Sequence, residues 1–71
     1  MEYSVVLHDA EEGGYWVEVP ALPGCYSQGE SVDDALEHVR EAISLYLETL
    51  REEGKDIPDD ETVVFKVAVR A

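Results

Sequence analysis

The amino-acid sequence predicts a small α+β domain with the element order β-β-β-α-β, in which one long helix packs on one face of an antiparallel-rich sheet. Short segments near both ends alternate apolar and polar residues, the pattern of strands that are buried on one face. A long central segment repeats its apolar residues at helical spacing. At 71 residues, the chain has the length of one domain.

The first two strands are predicted at Tyr3–His8 and Tyr15–Val19. The loop between them, Asp9–Gly14, is polar and ends in two glycines, so it favours a hairpin. Pro20–Gly24 follows the second strand. Its two prolines remove backbone donors and fix φ, which predicts a rigid turn. A short third strand is predicted at Cys25–Gln28.

The helix is predicted from Val32 to Glu53. Ser31 precedes it as an N-cap residue, and Asp34 completes a capping pattern of the S-x-x-D type. Gly54 provides the C-terminal stop. About 22 residues at about 1.5 Å each give a helix about 33 Å long, enough to cover a small sheet. The apolar positions form one continuous stripe, which consists of Val32, Ala35, Leu36, Val39, Ala42, Ile43, Tyr46, Leu47 and Leu50.

The last strand is predicted at Val63–Arg70, after an acidic loop at Asp56–Glu61. Because a single helix covers only one face of a sheet, we assign the more apolar face of the strands to the helix side. This predicted core face consists of Tyr3, Val5, Leu7, Tyr15, Val17, Val19, Val63, Phe65, Val67 and Val69.

The opposite face of the predicted sheet contains Val6, Trp16 and Val64, which are more apolar than a solvated face requires. An apolar patch that is rimmed by charges is typical of an interaction surface. Alternatively, Trp16 folds over an edge of the sheet. Leu45 lies off the apolar stripe, on the outer side of the helix. We therefore predict that Val6, Trp16, Val64 and Leu45 form a surface for self-association or for a partner.

The small size of the core also favours self-association. A domain of this length buries only about 60% of the surface of its unfolded chain. Cys25 is the only cysteine, so a disulfide within the chain is excluded, and His8 and His38 lack the spacing of metal ligands. We therefore predict a homodimer or a higher homo-oligomer.

The charge of the chain restricts its partners. With 17 acidic and 5 basic residues, the formal net charge is −12. Direct binding to nucleic acid is disfavoured, since phosphates are neutralised by clustered lysine and arginine. A basic protein partner is favoured, because opposite charge accelerates association. The lone cysteine and the absence of a leader-like start predict a cytoplasmic protein, and no apolar run is long enough to span a membrane.

No arrangement of side chains predicts catalysis, a metal or a cofactor. Most acidic residues fall in loops or on the outer helix face, where solvation explains them. Cys25 and His8 would need to be adjacent, with a third group to orient them, before they could act as a nucleophile and its base. A buried structural thiol is the commoner role of a lone cysteine.

One motif is specific to a family. The segment Gly14–Ser31 (GYWVEVPALPGCYSQGES) contains a G-x-[YFW] hairpin, then P-x-L-P-G-C, then a polar entry to a helix. It resembles the HicB antitoxin family, and the resemblance continues through Asp34-Ala35-Leu36 to Ile57-Pro58. The family implies a partial RNase H-like fold and a small, basic, mRNA-cleaving toxin partner of the HicA type.

Two further expectations follow from this resemblance. Many relatives have a C-terminal DNA-binding segment, whereas this sequence ends at Ala71, so we expect a single HicB-like domain over residues 1–71 without such a segment. An orphan dimeric module that binds another protein or a small ligand is the alternative function. A nuclease is disfavoured, because the first-strand core Val5-Val6-Leu7 and the last strand contain none of the acids that an RNase H-like metal site needs.

Overall fold

A computed structural model describes residues 1–70 of the chain. Three strands, β1 (Val6–Asp9), β2 (Tyr15–Glu18) and β3 (Tyr26–Gly29), precede one helix, α1 (Val32–Glu52). The strands form an antiparallel sheet in the order β1-β2-β3. The predicted α+β class, with three strands before one long helix, is confirmed.

The hairpin between β1 and β2 closes as its sequence predicts. The Ala10 N–H donates to the Gly14 carbonyl at 3.1 Å, and the Gly13 N–H donates back to Ala10 at the same distance. Gly13 and Gly14 have φ values of 97° and 77°, which residues with a side chain rarely adopt. The resulting register places Leu7 opposite Val17, on the face of the sheet that the helix covers.

The rigid turn after β2 contributes to the core as well as reversing the chain. The Leu22 N–H donates to the Val19 carbonyl and the Cys25 N–H to the Leu22 carbonyl, both at 3.0 Å. This tight path turns the Leu22 side chain inward, where it is fully buried. The Tyr46 hydroxyl of α1 donates to the Pro23 carbonyl at 2.9 Å and attaches the turn to the helix.

The core lies between the inner face of the sheet, the turn and the helix. It combines strand, turn and helix residues, namely Val17, Val19, Leu22, Cys25, Ala35, Val39 and Leu47. The predicted face assignment is confirmed for the first two strands, because Val17 and Val19 are buried and Tyr3, Val5, Leu7 and Tyr15 pack against the core.

Both ends of α1 are capped by the residues that the sequence indicates. The Ser31 Oγ atom accepts from the Asp34 N–H at 3.1 Å. The Asp34 carboxylate in turn accepts from the Glu30 N–H at 2.9 Å, one residue before the position that a standard capping box uses. At the other end, Gly54 has a φ of 69° and its N–H donates to the Arg51 carbonyl at 3.1 Å. These bonds satisfy backbone groups that a helix terminus otherwise leaves unpaired.

Two hydrogen bonds hold the chain beyond the helix to its beginning. The Tyr3 hydroxyl donates to the Pro58 carbonyl at 2.5 Å, and the Ser4 N–H donates to the Asp60 carboxylate at 2.6 Å. The same carboxylate accepts from the Thr62 N–H at 3.1 Å, and these hydrogen bonds hold the pKa of Asp60 below its usual value. We call the Tyr3–Pro58 and Ser4–Asp60 pairs the terminal clasp.

The predicted last strand is wrong for the isolated chain. Val63–Arg70, which we call the C-terminal segment, is assigned to no strand. Its expected core residues are exposed instead, with exposed fractions of 80% for Phe65 and Val67. The Cα radius of gyration is 13.9 Å, against about 11 Å for a compact chain of this length. Alternation indicates that a segment can pair as a strand, but it does not supply the edge with which the segment pairs.

Candidate interaction surfaces

The sheet face that points away from α1 is the first candidate surface. The register pairs Val6 with Glu18, His8 with Trp16, and Trp16 with Gln28. Since directly paired residues point to the same side of a sheet, these side chains form one face. The outer sheet face consists of Val6, His8, Trp16, Glu18, Tyr26 and Gln28.

Two aromatic side chains of the outer sheet face are accessible. Trp16 is 38% exposed and Tyr26 is 68% exposed. The Trp16 indole stacks on the His8 imidazole, with ring centroids 4.1 Å apart. The His8 Nε2 atom is shielded from solvent without a hydrogen-bond partner among residues 1–70, and the Glu18 Oε2 atom lies 3.7 Å from it, beyond hydrogen-bond range. This face therefore offers accessible aromatic area, whereas the His8 Nε2 atom is covered.

An acidic surface adjoins Trp16 at the end of the sheet where the hairpin loop meets the start of α1. It is a shallow depression of about 960 Å³, and no lysine or arginine lines it. Its charged residues are Asp9, Glu11, Glu12, Glu30 and Asp34, with His38 beside them. We call these residues the acidic depression. Neighbouring carboxylates with no lysine or arginine among them favour the approach of a basic partner.

His38 fixes the helix side of the acidic depression to the sheet. Its Nδ1 atom lies 2.7 Å from the Gln28 carbonyl oxygen, to which it donates when protonated, and its Nε2 atom lies 3.5 Å from the Asp34 carboxylate. The hydrogen bond to Gln28, followed by the negative charge of Asp34, raises the pKa of His38 above its usual value. His38 is an exposed residue, and it also joins α1 to β3.

A second groove leaves Leu36 and Ile43 of the apolar helix stripe only half-buried. It has a volume of about 680 Å³ and runs between the first residues of the chain and α1. Its apolar lining consists of Met1, Tyr3, Val5, Leu36, Val39, Ile43 and Leu47. We call it the edge groove, since residues 1–5 of its lining lead into β1, whose outer edge pairs with no strand among residues 1–70.

The four residues of the predicted interaction surface do not form one patch. Val6 and Trp16 share the outer sheet face. Leu45 is 65% exposed on the helix, and Val64 is 63% exposed in the C-terminal segment, outside the sheet. The interaction role of these four residues stays a prediction.

The sequence analysis did not identify the acidic depression. Its carboxylates come from separate segments of the chain, and solvation was taken to explain them. The pairing register of the strands is the signal that places Asp9, the hairpin loop and Glu30 at the same end of the sheet.

The side chains that were considered for chemistry lie apart. Cys25 is buried in the core on the inner side of the sheet, where burial raises the pKa of its thiol, whereas His8 lies on the outer sheet face. Among residues 1–70, no group of three or more His, Cys, Asp and Glu side chains has the geometry to hold a metal ion. Within the same residues, α1 is too polar to qualify as a membrane-spanning helix.

Comparison with known proteins identifies the family. A model of the HicB-like antitoxin of bacterial toxin–antitoxin systems matches residues 3–69. A UPF0150 protein of Thermoplasma acidophilum is 45% identical over 60 residues, which cover 84% of this chain and 87% of that protein. Antitoxin HicB 1 of Photorhabdus laumondii is 38% identical over 58 residues, which cover 82% of this chain but 37% of that antitoxin.

Comparison of the fold with solved structures identifies the same family. The crystal structure of the N-terminal domain of the Burkholderia pseudomallei antitoxin HicB matches with a TM-score of 0.74 and 41% sequence identity, over 87% of this chain and 73% of that chain. The resemblance of the Gly14–Ser31 motif is thereby confirmed over nearly the whole sequence. The chain belongs to the HicB-like antitoxin family of bacterial toxin–antitoxin systems.

Proposed function

We propose that this protein neutralises a small, basic, mRNA-cleaving toxin of the HicA type by direct protein–protein contact, acting as a binding protein and not as an enzyme. The observation that carries the proposal is the match of residues 3–69 to the HicB-like antitoxin family. The net charge of −12 supports it, since complementary charge accelerates the encounter of two proteins and orients them.

We further propose that the toxin contacts the acidic depression and the neighbouring Trp16. The depression offers carboxylates from the hairpin loop, from Glu30 and from Asp34, to which lysine and arginine side chains of a toxin can bind. Trp16 adds an accessible aromatic anchor beside these charges, and such residues often dominate binding energy. A toxin held there would have its basic RNA-binding residues covered.

The test begins with a search of the neighbouring genes for a small basic protein, whose absence would favour the orphan module. The purified antitoxin is then titrated with that protein. The double variant Glu11→Lys/Glu12→Lys reverses two charges of the acidic depression. The matched control, Glu48→Lys/Glu52→Lys, changes the net charge by the same amount on exposed helix positions outside the depression. We expect the first variant to weaken binding about tenfold or more and the control to weaken it much less.

A second measurement follows toxicity in cells that express both proteins. Co-expression of the parent antitoxin should relieve growth arrest by the basic neighbour, and Glu11→Lys/Glu12→Lys should relieve it less. Equal losses of affinity for both double variants would show that only the overall charge matters, which refutes the acidic depression as the contact site. Separate elution of the two parent proteins at low salt would refute the antitoxin function itself and favour the orphan module.

A further inference from the structure

The edge groove has the features of a site for one more strand. On one side it is lined by residues 1–5, which lead directly into β1, and the outer edge of β1 exposes backbone donors and acceptors. On the other side lie Leu36 and Ile43 of the helix stripe, which are half-buried. A strand placed there would extend the sheet and would cover apolar helix surface at the same time.

The C-terminal segment has the features of that strand. Val63, Phe65, Val67 and Val69 alternate with other residues, and all four are at least 72% exposed. The family match continues to residue 69, so most of this segment belongs to the domain that the family shares. An exposed row of four large apolar side chains on a strand-forming segment requires a partner surface.

The terminal clasp determines where the segment leaves the domain. Asp60, which accepts from the Ser4 N–H at 2.6 Å, also lines the edge groove. The segment therefore begins three residues after a residue of the groove lining, and its apolar side chains are exposed and do not line the groove. The groove and the C-terminal segment are adjacent in one chain, but the segment does not lie in the groove of its own chain.

Charge favours a second copy of this chain as the partner. The C-terminal segment contains two of the five basic residues, Lys66 and Arg70, and none of the 17 acidic ones. All the negative charge lies in the remainder of the chain, so the segment of one copy is attracted to the body of another. The two bodies repel each other, which disfavours broad face-to-face contact and favours an apolar, locally basic connection.

We propose that two copies exchange their C-terminal segments, each inserting Val63–Val69 into the edge groove of the other along β1. The exchange is reciprocal, as a closed two-fold dimer requires. It places Val64 in the extended sheet. It also leaves the outer sheet face and the acidic depression free, so that self-association does not compete with a toxin for Trp16.

Sedimentation equilibrium of the full-length protein at low and moderate salt tests the dimer. The variant Phe65→Glu places a charge on the row that enters the groove, and we expect the dimer dissociation constant to rise about a hundredfold. The control Ala68→Glu adds the same charge on the other side of the segment and should change the constant less than about threefold. A monomeric parent, or a Phe65→Glu variant that dimerises as well as the parent, would overturn the proposal.

Nuclear magnetic resonance of mixed dimers distinguishes exchange from the other arrangements. In an equimolar mixture of isotope-labelled and unlabelled chains, filtered contacts between residues 63–69 and residues 3–7 should connect a labelled chain to an unlabelled one. If such contacts occur only within one chain, the segment folds back onto its own groove. If the segment shows no contacts and its amides exchange freely, the dimer uses another surface. Either result refutes the exchange.

Discussion

The Trp16 indole and the His8 imidazole stack across β1 and β2, with ring centroids 4.1 Å apart and ring planes inclined by 16°. The two residues are directly opposite each other in the strand register, so the backbone fixes this geometry. One face of the indole is covered by His8, while 38% of Trp16 remains exposed. The tryptophan is therefore an ordered, preorganised contact, and little side-chain entropy is lost when a partner binds it.

Trp16→Ala should weaken toxin binding more than it lowers stability. Tryptophan is enriched among the few interface residues whose truncation costs about 2 kcal/mol or more of binding free energy, and we expect a loss of this size here. The conservative variant Trp16→Phe keeps an aromatic ring opposite His8 and should retain much of the affinity. Isothermal titration measures the binding, and circular dichroism melts measure the stability. Unchanged affinity in Trp16→Ala would exclude this residue from the contact.

Leu22→Ala should destabilise the domain by about 2–5 kcal/mol, because it leaves a cavity under a fully buried side chain. Leu45→Ala removes the same atoms from a side chain that is 65% exposed, and we expect a change below about 0.5 kcal/mol. Urea unfolding of both variants supplies the comparison. Similar free energies of unfolding would show that the turn does not pack as described.

Gly29→Ala tests the close approach of β3 to the helix. A Cβ atom at Gly29 would lie 2.7 Å from both the Ala35 Cα atom and the Asp34 carbonyl carbon, so backbone would have to move. At Gly54 a Cβ atom would have no neighbour within 4 Å, so alanine is destabilising there only because its φ would be 69°. That conformational cost is about 1–2 kcal/mol. Thermal melts should show a larger loss of stability for Gly29→Ala than for Gly54→Ala. A smaller loss for Gly29→Ala would contradict the described packing.

His38 should make stability depend on pH near neutrality. Its pKa is raised in the folded state by the Gln28 carbonyl and by the charge of Asp34. The protonated form is therefore favoured by folding, and its stabilisation is complete below the unfolded pKa of about 6.5 and disappears as pH rises through the folded pKa. Melting temperatures of the parent and of His38→Gln, from about pH 5.5 to 8.5, should converge as pH rises. A constant difference would contradict this role.

The helix was predictable almost to the residue, because both of its ends are specified locally. Ser31 and Asp34 cap the start, and Gly54 adopts the left-handed conformation that ends it. The second strand was predicted to within one residue, whereas the first begins at Val6 instead of Tyr3. The inner faces of both were predictable, since their alternation is coupled to a short loop. The residues within and next to these elements are sufficient to determine them, without knowledge of tertiary contacts.

The remaining features depend on relationships that a pattern does not contain. Leu22 lies between prolines in a turn, and nothing in its neighbours shows that the turn folds inward to bury it. The C-terminal segment has a strand pattern, yet its pairing depends on an edge that the pattern does not identify. The acidic depression arises only when the hairpin register brings Glu11 and Glu30 to the same end of the sheet.

The terminal clasp also affects the order in which the chain folds. The sheet pairs strands that are neighbours in sequence, and the helix packs on the strand that immediately precedes it. The clasp instead joins residues 55 and 56 positions apart, so it closes loops that span most of the chain. Such contacts carry the largest closure entropy and typically form late. We expect the clasp to open with a lower free energy than global unfolding requires. The Ser4 amide should therefore exchange faster than the amides of β2.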